Sequence, residues 1–322
     1  MEQVRLSQSY VFRRDGTAVQ RRYTEENVTP SYGTLRVSGA TLCYKVRGQG
    51  QPLLILQGGA GDADAPDALA NALASEFTVV TYDRRGLSRS PMDNAKQPLS
   101  VEQHTEDAHA LLDSLSTMPA FIFGTSLGAL IGLELVARWP KRVQTLIAHE
   151  PAAIALLPSD EQARFAELRK VVGKIALREG ARPALRRFLT AMGVNRDDRE
   201  EDVEPPPSAR ENSRKTGFLL TSESRAIYGF MPDLAALRKV PHKIVPGFGK
   251  SSIDCFPSRC ALSLAAQLGR EPTEFPGGHT GHVLRPQAFS KTLRSVLLAN
   301  PSPSSWNLTE GAARSTDGTE CG

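Results

Sequence analysis

Hydrophobic positions recur along the chain in two alternating kinds of run. Continuous apolar runs of strand length occur in "PLLILQGG", "FTVVTYDRRG", "AFIFG" and "VQTLIAHEP". Between them lie stretches with apolar residues at helical intervals: "DAPDALANALASE", "SVEQHTEDAHALLDSL" and "SLGALIGLELVARWP". A strand that is apolar at nearly every position is typical of a sheet buried on both faces. The alternation therefore predicts an α/β fold, a mostly parallel central sheet flanked by helices.

The same pattern predicts the boundaries of the regions. Residues 1–33 are polar with weak periodicity, and we expect an irregular N-terminal extension there. The segments "TLRVSG" and "ATLCYKVRG" alternate and predict an antiparallel hairpin at the start of the sheet. From 156 to 240 only helical stretches occur, which predicts a helical lid inserted into a core formed by 34–155 and 241–299. The tail 300–322 is rich in Ser, Thr and Gly, which is typical of disorder.

Composition and charge narrow the class of protein. The 322 residues are 40% hydrophobic and 23% charged, which is ordinary for a soluble globular protein. The formal net charge of +4 is mild, and no basic run is interleaved with aromatic residues, so we expect no nucleic-acid partner. No apolar run has membrane-spanning length and the N-terminus lacks a signal-like apolar segment, which favours a cytoplasmic protein without a membrane partner. The four cysteines fit neither a disulfide framework nor a metal site, and we expect free thiols.

Two glycines interrupt the apolar run "AFIFGTSLGALIGLELVARWP" and flank a serine. The pentapeptide from Gly124 to Gly128 has the form G-x-S-x-G, and it lies between a predicted strand and a predicted helix. In that context it is typical of a nucleophile elbow, a sharp turn that projects the serine hydroxyl from the top of a sheet. The adjacent helix N-terminus favours the negative charge that develops on attack. We therefore predict Ser126 as a catalytic nucleophile.

Four motifs in order, "LILQGGAGDA", "YDRRGLSRS", "GTSLG" and "FPGGHTGH", resemble those of the α/β-hydrolase superfamily. The resemblance extends over about residues 33–150 and 240–298, and it implies an α/β-hydrolase fold with a triad in the order serine, acid, histidine. A serine hydroxyl needs a base. The resemblance implies His279 as that base, with His282 as the alternative.

The resemblance also implies an oxyanion hole formed by two backbone N–H groups. Gly59 matches the position of one donor and Leu127, directly after the nucleophile, matches the other. In the superfamily, the loop in the motif "LILQGGAGDA" usually reads His-Gly-x. In this sequence Gln57 replaces the histidine. In "YDRRGLSRS" we expect Asp83 and Arg85 to form a charge-assisted hydrogen bond that ties the loop structurally.

Two positions in the sequence are candidates for the acid of the triad. Most members of the superfamily carry it after the seventh strand in Gly-x-x-Asp, and here Asp254 lies two residues late. Some members, including haloalkane dehalogenases and resorcylic lactone hydrolases of the zearalenone-degrading kind, carry it after the sixth strand, where Glu150 stands. Either carboxylate could reach Nδ1–H of His279. We favour Glu150 and keep Asp254 as the alternative.

A serine nucleophile excludes the dehalogenase and epoxide-hydrolase chemistry of this fold, which needs a carboxylate nucleophile. We expect an esterase or lactonase that uses neither metal nor organic cofactor and binds a small, partly apolar molecule between lid and sheet. The resemblance to lactone hydrolases favours a cyclic ester or polyketide-like substrate of secondary metabolism. C–C bond hydrolysis, peroxidation of a short acid, and acyl transfer or cyclisation use the same residues. A non-catalytic small-molecule binder is the alternative from another class.

Overall fold

The computed structural model describes residues 8–12, 18–22, 29–59, 61–204 and 224–299. The strands in these ranges are β1 (Gln8–Phe12), β2 (Ala18–Arg22), β3 (Ser31–Val37), β4 (Ala40–Arg47), β5 (Gln51–Leu56), β6 (Phe77–Tyr82), β7 (Ala120–Thr125), β8 (Val143–His149), β9 (Ile244–Gly249) and β10 (Thr273–Phe275). The α-helices are α1 (Asp67–Leu73), α2 (Val101–Leu115), α3 (Leu127–Arg138), α4 (Ser159–Glu179), α5 (Ala181–Ala191), α6 (Ser224–Gly229), α7 (Leu234–Leu237), α8 (Phe256–Leu268), α9 (Gly281–Leu284) and α10 (Pro286–Leu298).

Eight strands form one sheet in the order β10-β9-β8-β7-β5-β6-β4-β3. β4 pairs antiparallel with both β3 and β6, and the other neighbouring strands are parallel. The antiparallel start and the parallel remainder confirm the predicted fold class. Because β7, β8, β9 and β10 run in parallel, the loops that follow them meet at one edge of the sheet.

Helices cover both faces of the sheet, as the apolar strands require. On one face, buried side chains of α2, α3 and α8 form a cluster with those of the strands. On the other face, α1 and α10 bury their apolar sides against β5, β7 and neighbouring strands. β7 is buried at all six positions, so its end is held firmly where the chain turns into α3.

The N-terminal stretch differs from the irregular extension expected for 1–33. β1 and β2 pair antiparallel, with Gln8 opposite Arg22, and β3 already begins at Ser31. A two-stranded ladder is formed by backbone hydrogen bonds, which any residue except proline can make. It therefore needs no strong apolar pattern, and the weak periodicity of this stretch concealed it.

The described part of 156–240 is helical, with α4 to α7 between β8 and β9. α4 and α5 pack together around an apolar cluster of their own that includes Phe165, Leu168 and Met192. Residues 205–223 lie outside the described ranges, and so does the tail 300–322 for which we expect disorder. Within the described residues, no helix combines the length and the apolar character that a membrane crossing requires.

One cysteine contradicts the expectation of four free thiols. Cys43 is disulfide-bonded, whereas Cys255 and Cys260 are free. Cysteine spacing along a sequence reveals regular frameworks, but a single bridge follows from proximity in the fold and leaves no spacing pattern.

Candidate active site

Ser126 occupies the turn between β7 and α3. Its φ of 54° and ψ of −117° lie in a region that residues with a side chain rarely adopt. Backbone hydrogen bonds hold this conformation: Ser126 N–H donates to the carbonyl of His149 over 3.1 Å, and the Ser126 carbonyl accepts from Ala129 and Ala152. A serine at a helix N-cap ordinarily bonds the helix backbone, but this hydroxyl makes no capping bond. In this turn, Oγ of Ser126 is therefore not bonded to the backbone of α3.

The two flanking glycines are explained by close backbone packing. A Cβ on Gly128 would lie 1.9 Å from the carbonyl oxygen of Leu56, and a Cβ on Gly124 would lie 2.5 Å from the carbonyl oxygen of Gly128. No side chain fits at either position. The elbow thus needs both glycines to bring β5, β7 and α3 together.

Glu150 directly follows β8 and is fully buried, with φ 45°. Its Oε2 lies 2.6 Å from Nδ1 of His279. Its Oε1 accepts hydrogen bonds from Gly249 N–H at 2.8 Å, Ser252 Oγ at 2.5 Å and Ser258 Oγ at 2.6 Å. The structure therefore brings Glu150 and His279 together and surrounds the carboxylate with donors.

The pKa of Glu150 reflects these partners. Burial alone would raise it, but the hydrogen bond and charge of His279, together with the charge of His149 and the hydrogen bond from Ser252, outweigh burial and lower the pKa to about 2. Glu150 is therefore an ionised acceptor, which means that Nδ1 of His279 carries the proton of their hydrogen bond.

The alternative acid, Asp254, is exposed to solvent. Ser252, close to the place where most superfamily members carry the acid, instead donates to Glu150. Sequence reasoning did not identify Ser252 and Ser258 as carboxylate donors. The one available signal was the serine at the expected acid position.

His282 lies in α9, buried, with its Nε2 3.1 Å from Oε1 of Gln57. Its ring lies among aromatic side chains, 5.6 Å from Phe123 and 6.0 Å from Phe289 between centroids. Burial lowers the pKa of His282 well below its usual value, so the ring is neutral. His282 thus contacts the loop after β5, whereas His279 contacts Glu150.

The two predicted oxyanion donors, Gly59 and Leu127, each lie next to a residue of the serine turn or of the loop that packs on it. A Cβ on Gly58 would come within 2.5 Å of Ser126 Cβ, so the loop after β5 passes directly against the serine. Gly59 follows with φ 49°. Leu127 is the first residue of α3, where a backbone N–H has no acceptor within the helix.

The loop after β6 differs from the expected pair of Asp83 and Arg85. Asp83 binds Arg89 at 2.8 Å, and Arg85 reaches Asp107 of α2 at 2.5 Å. The expected pair is wrong because Arg85 extends across to a neighbouring helix, a contact that local sequence does not reveal. Arg84 between them is a residue that sequence reasoning missed, and it contacts the loop that carries Gly59.

The chain leaving α5 packs on the loop that binds Glu150. A Cβ on Gly193 would lie 2.7 Å from Ser252 Cβ and 2.9 Å from Cys255 Sγ. Among the described residues, no group of three or more His, Cys, Asp or Glu side chains is arranged to hold a metal ion.

Comparison with known proteins identifies the family of this chain. Residues 51–184 match the family model of the alpha/beta hydrolase fold. An uncharacterized hydrolase of Bacillus subtilis (strain 168), YraK, is 38% identical over 274 residues, which cover 84% of this chain and 97% of that protein. The chain belongs to the α/β-hydrolase superfamily. Together, the fold and this relative support a hydrolase activity for this α/β-hydrolase.

Solved structures share the α/β-hydrolase fold. Est816, described as an N-acyl homoserine lactone degrading enzyme, has a TM-score of 0.63 at 19% identity, covering 82% of this chain and all of that one, 100%. An alpha/beta hydrolase from Sphaerobacter thermophilus DSM 20745 has a TM-score of 0.59 at 22% identity, covering 82% of this chain and 99% of that one. At such identities the likeness concerns the fold alone.

Proposed function

We propose that this α/β-hydrolase is a serine hydrolase that cleaves an ester or lactone bond of a small, partly apolar molecule through an acyl-enzyme intermediate. The observation that carries the proposal is the hydrogen bond between buried Glu150 and His279, at the same sheet edge as the strained turn of Ser126. General-base activation of a serine requires a carboxylate that orients an imidazole, and a buried carboxylate bonded to an imidazole at the sheet edge of a serine elbow supports that arrangement.

In the proposed reaction, Oγ of Ser126 attacks the carbonyl carbon of the substrate while Nε2 of His279 takes the hydroxyl proton. Glu150 stabilises the imidazolium through Nδ1–H. The N–H groups of Gly59 and Leu127 donate to the oxyanion, and each such donor contributes about 3 kcal/mol when well placed. His279 then gives the proton to the leaving alcohol, and a water that His279 deprotonates releases the acid and restores Ser126.

The position of the acid supports a lactone among the candidate substrates. Glu150 follows β8, the place where resorcylic lactone hydrolases carry their acid, and this support is an analogy between relatives. The helices between β8 and β9 supply the lid of the proposed binding site, under which a partly apolar ligand would lie. C–C bond hydrolysis and acyl transfer use the same residues and are separated from ester hydrolysis by the substrates tested.

A fluorophosphonate probe tests the nucleophile. We expect Ser126 to be labelled, labelling to vanish in Ser126→Ala, and labelling to slow strongly in His279→Ala. Against aryl esters, macrolactones and diketones, Glu150→Gln should lower kcat by about 10⁴-fold, whereas the matched control Asp254→Asn should leave it nearly unchanged. A folded protein that the probe does not label would indicate a binder, and cleavage of diketones alone would indicate a C–C bond hydrolase.

A further inference from the structure

The loop that carries the oxyanion donor is unusually rich in glycine. Gly58, Gly59 and Gly61 lie within five residues after β5, and glycine has more backbone freedom than any other residue. An oxyanion donor stabilises the transition state only if it is already oriented when charge develops. Something outside the loop must therefore hold its peptide groups in place.

Arg84 contacts this loop from the end of β6. Its guanidinium is buried, with 1% of the residue exposed. Nη1 donates to the carbonyl of Gln57 at 2.5 Å and to that of Gly61 at 3.3 Å, while Nη2 donates to the carbonyl of Gly59. One side chain thus binds three carbonyl groups of one short loop.

We propose that Arg84 is a positioning residue for the reaction of Ser126. It fixes the oxyanion-hole loop, which is the loop after β5 that contains Gln57, Gly59 and Gly61. The inference rests on the proposed function, because the loop matters for catalysis only if Ser126 attacks a carbonyl. The peptide that contains the N–H of Gly59 lies between two peptides whose carbonyls, at Gln57 and Gly59, both bind Arg84. Because peptide groups are planar, holding these two carbonyls limits rotation on both sides of the donor.

A second contact holds the peptide of the donor itself. The carbonyl of Gly58, which shares a peptide unit with the N–H of Gly59, accepts from Gly61 N–H at 3.0 Å. This turn closes only when Gly61 is in place, and Gly61 is also held by Arg84. A rigid, planar guanidinium with several donors suits this role, whereas a lysine ammonium could not span the same carbonyls.

Arg85 provides a matched control one residue away. It is also buried, with 2% exposed, but its guanidinium pairs with Asp107 of α2 and binds the carbonyl of Ser38. None of these partners belongs to the loop of Gly59. Arg85→Lys therefore perturbs the same turn and the same kind of buried charge without touching the oxyanion-hole loop.

The test compares Arg84→Lys with Arg85→Lys in the full-length protein, on the best ester substrate found. We expect Arg84→Lys to lower kcat by about tenfold or more with a smaller change in KM, and Arg85→Lys to change kcat by less than about threefold. The affinity for a trifluoromethyl ketone, which forms a tetrahedral oxyanion on Ser126, should fall with kcat in Arg84→Lys alone. The downfield proton resonance of the His279–Glu150 hydrogen bond should remain in both variants.

The outcomes separate this inference from the proposed function. If the wild-type protein is labelled by the fluorophosphonate probe and Arg84→Lys keeps its kcat and ketone affinity, Arg84 does not position the loop. If Arg84→Lys fails to fold while Arg85→Lys folds, Arg84 serves the fold and the inference is overturned. If the wild-type protein is neither labelled nor active, the proposed function itself fails.

Discussion

At the scale of single residues, the site depends on a charge that is costly to bury. Glu150 is fully buried, and an isolated carboxylate there would be strongly unfavourable. Two serine hydroxyls, one backbone N–H and the imidazole of His279 replace the water that the carboxylate loses. Charge-assisted hydrogen bonds of this kind are about twice as strong as neutral ones. The carboxylate therefore stays ionised and oriented, as the proposed role of the acid requires.

The lowered pKa of Glu150 predicts a dependence of stability on pH. Because the native state lowers this pKa from 4.5 to about 2, the carboxylate stabilises the fold fully above the unfolded value and loses that contribution as pH falls toward the folded value. The difference between the free energies of unfolding of the wild type and of Glu150→Gln should therefore become smaller below about pH 4.5. Denaturant titrations at several pH values would measure it, and a constant difference would contradict the bonding described for Glu150.

The sequence indicates a candidate site residue most directly when the environment of that residue is local in the chain. Ser126 was predicted because strand, glycines, serine and helix are consecutive. The partners of Glu150 are separated from it by 99 residues at Gly249 and by 129 at His279, so sequence left Asp254 as an alternative. Arg84 escaped notice for the same reason: its function in the loop of Gln57 depends on two neighbouring strand ends meeting in space.

At the scale of elements, sequence predicted most where a local rule decides the structure. Serine is a typical N-cap residue, and the hydroxyl of Ser100 accepts from Gln103 N–H at 3.1 Å at the start of α2. The buried strands and the alternation with helices are likewise as predicted, because apolar periodicity follows directly from burial. The pair of β1 and β2 was missed, since backbone pairing alone leaves no such periodicity.

Two glycines in helices should respond oppositely to alanine. Gly128 lies at the start of α3, where a Cβ would meet the backbone carbonyl of Leu56, whereas a Cβ on Gly173 in α4 meets nothing within 4 Å. We expect Gly128→Ala to destabilise the protein by several kcal/mol and to abolish Ser126 labelling. Gly173→Ala should stabilise it by about 0.5–1 kcal/mol through helix propensity. Thermal unfolding of both variants measures the contrast, and equal effects would refute the packing argument.

At the scale of the whole molecule, the helical segment between β8 and β9 is fastened to the part of the chain that carries His279. Asp198 binds Arg285 at 2.5 Å, just after α9. The carboxylate of Glu200 accepts from the N–H groups of Gln287 and Ala288, at the start of α10. These contacts link the proposed lid to the loop of the proposed base, so that the two should not move independently.

The ion pair of Asp198 tests this link. Asp198→Asn removes the charge from a carboxylate that is 14% exposed. Losing the ion pair should lower the free energy of local opening of the segment that contains α4 and α5 by about 1 kcal/mol, which increases the population of the open state by about fivefold. The neighbouring Asp197→Asn is the matched control, because that side chain is 95% exposed and contacts Arg199 only at 3.8 Å. Hydrogen exchange of the α4 and α5 amides should therefore accelerate in the first variant and remain at the wild-type rate in the second. If the lid also positions His279, labelling of Ser126 by the fluorophosphonate should slow in Asp198→Asn alone. Equal hydrogen-exchange rates in the two variants would show that apolar packing, and not this ion pair, holds the segment.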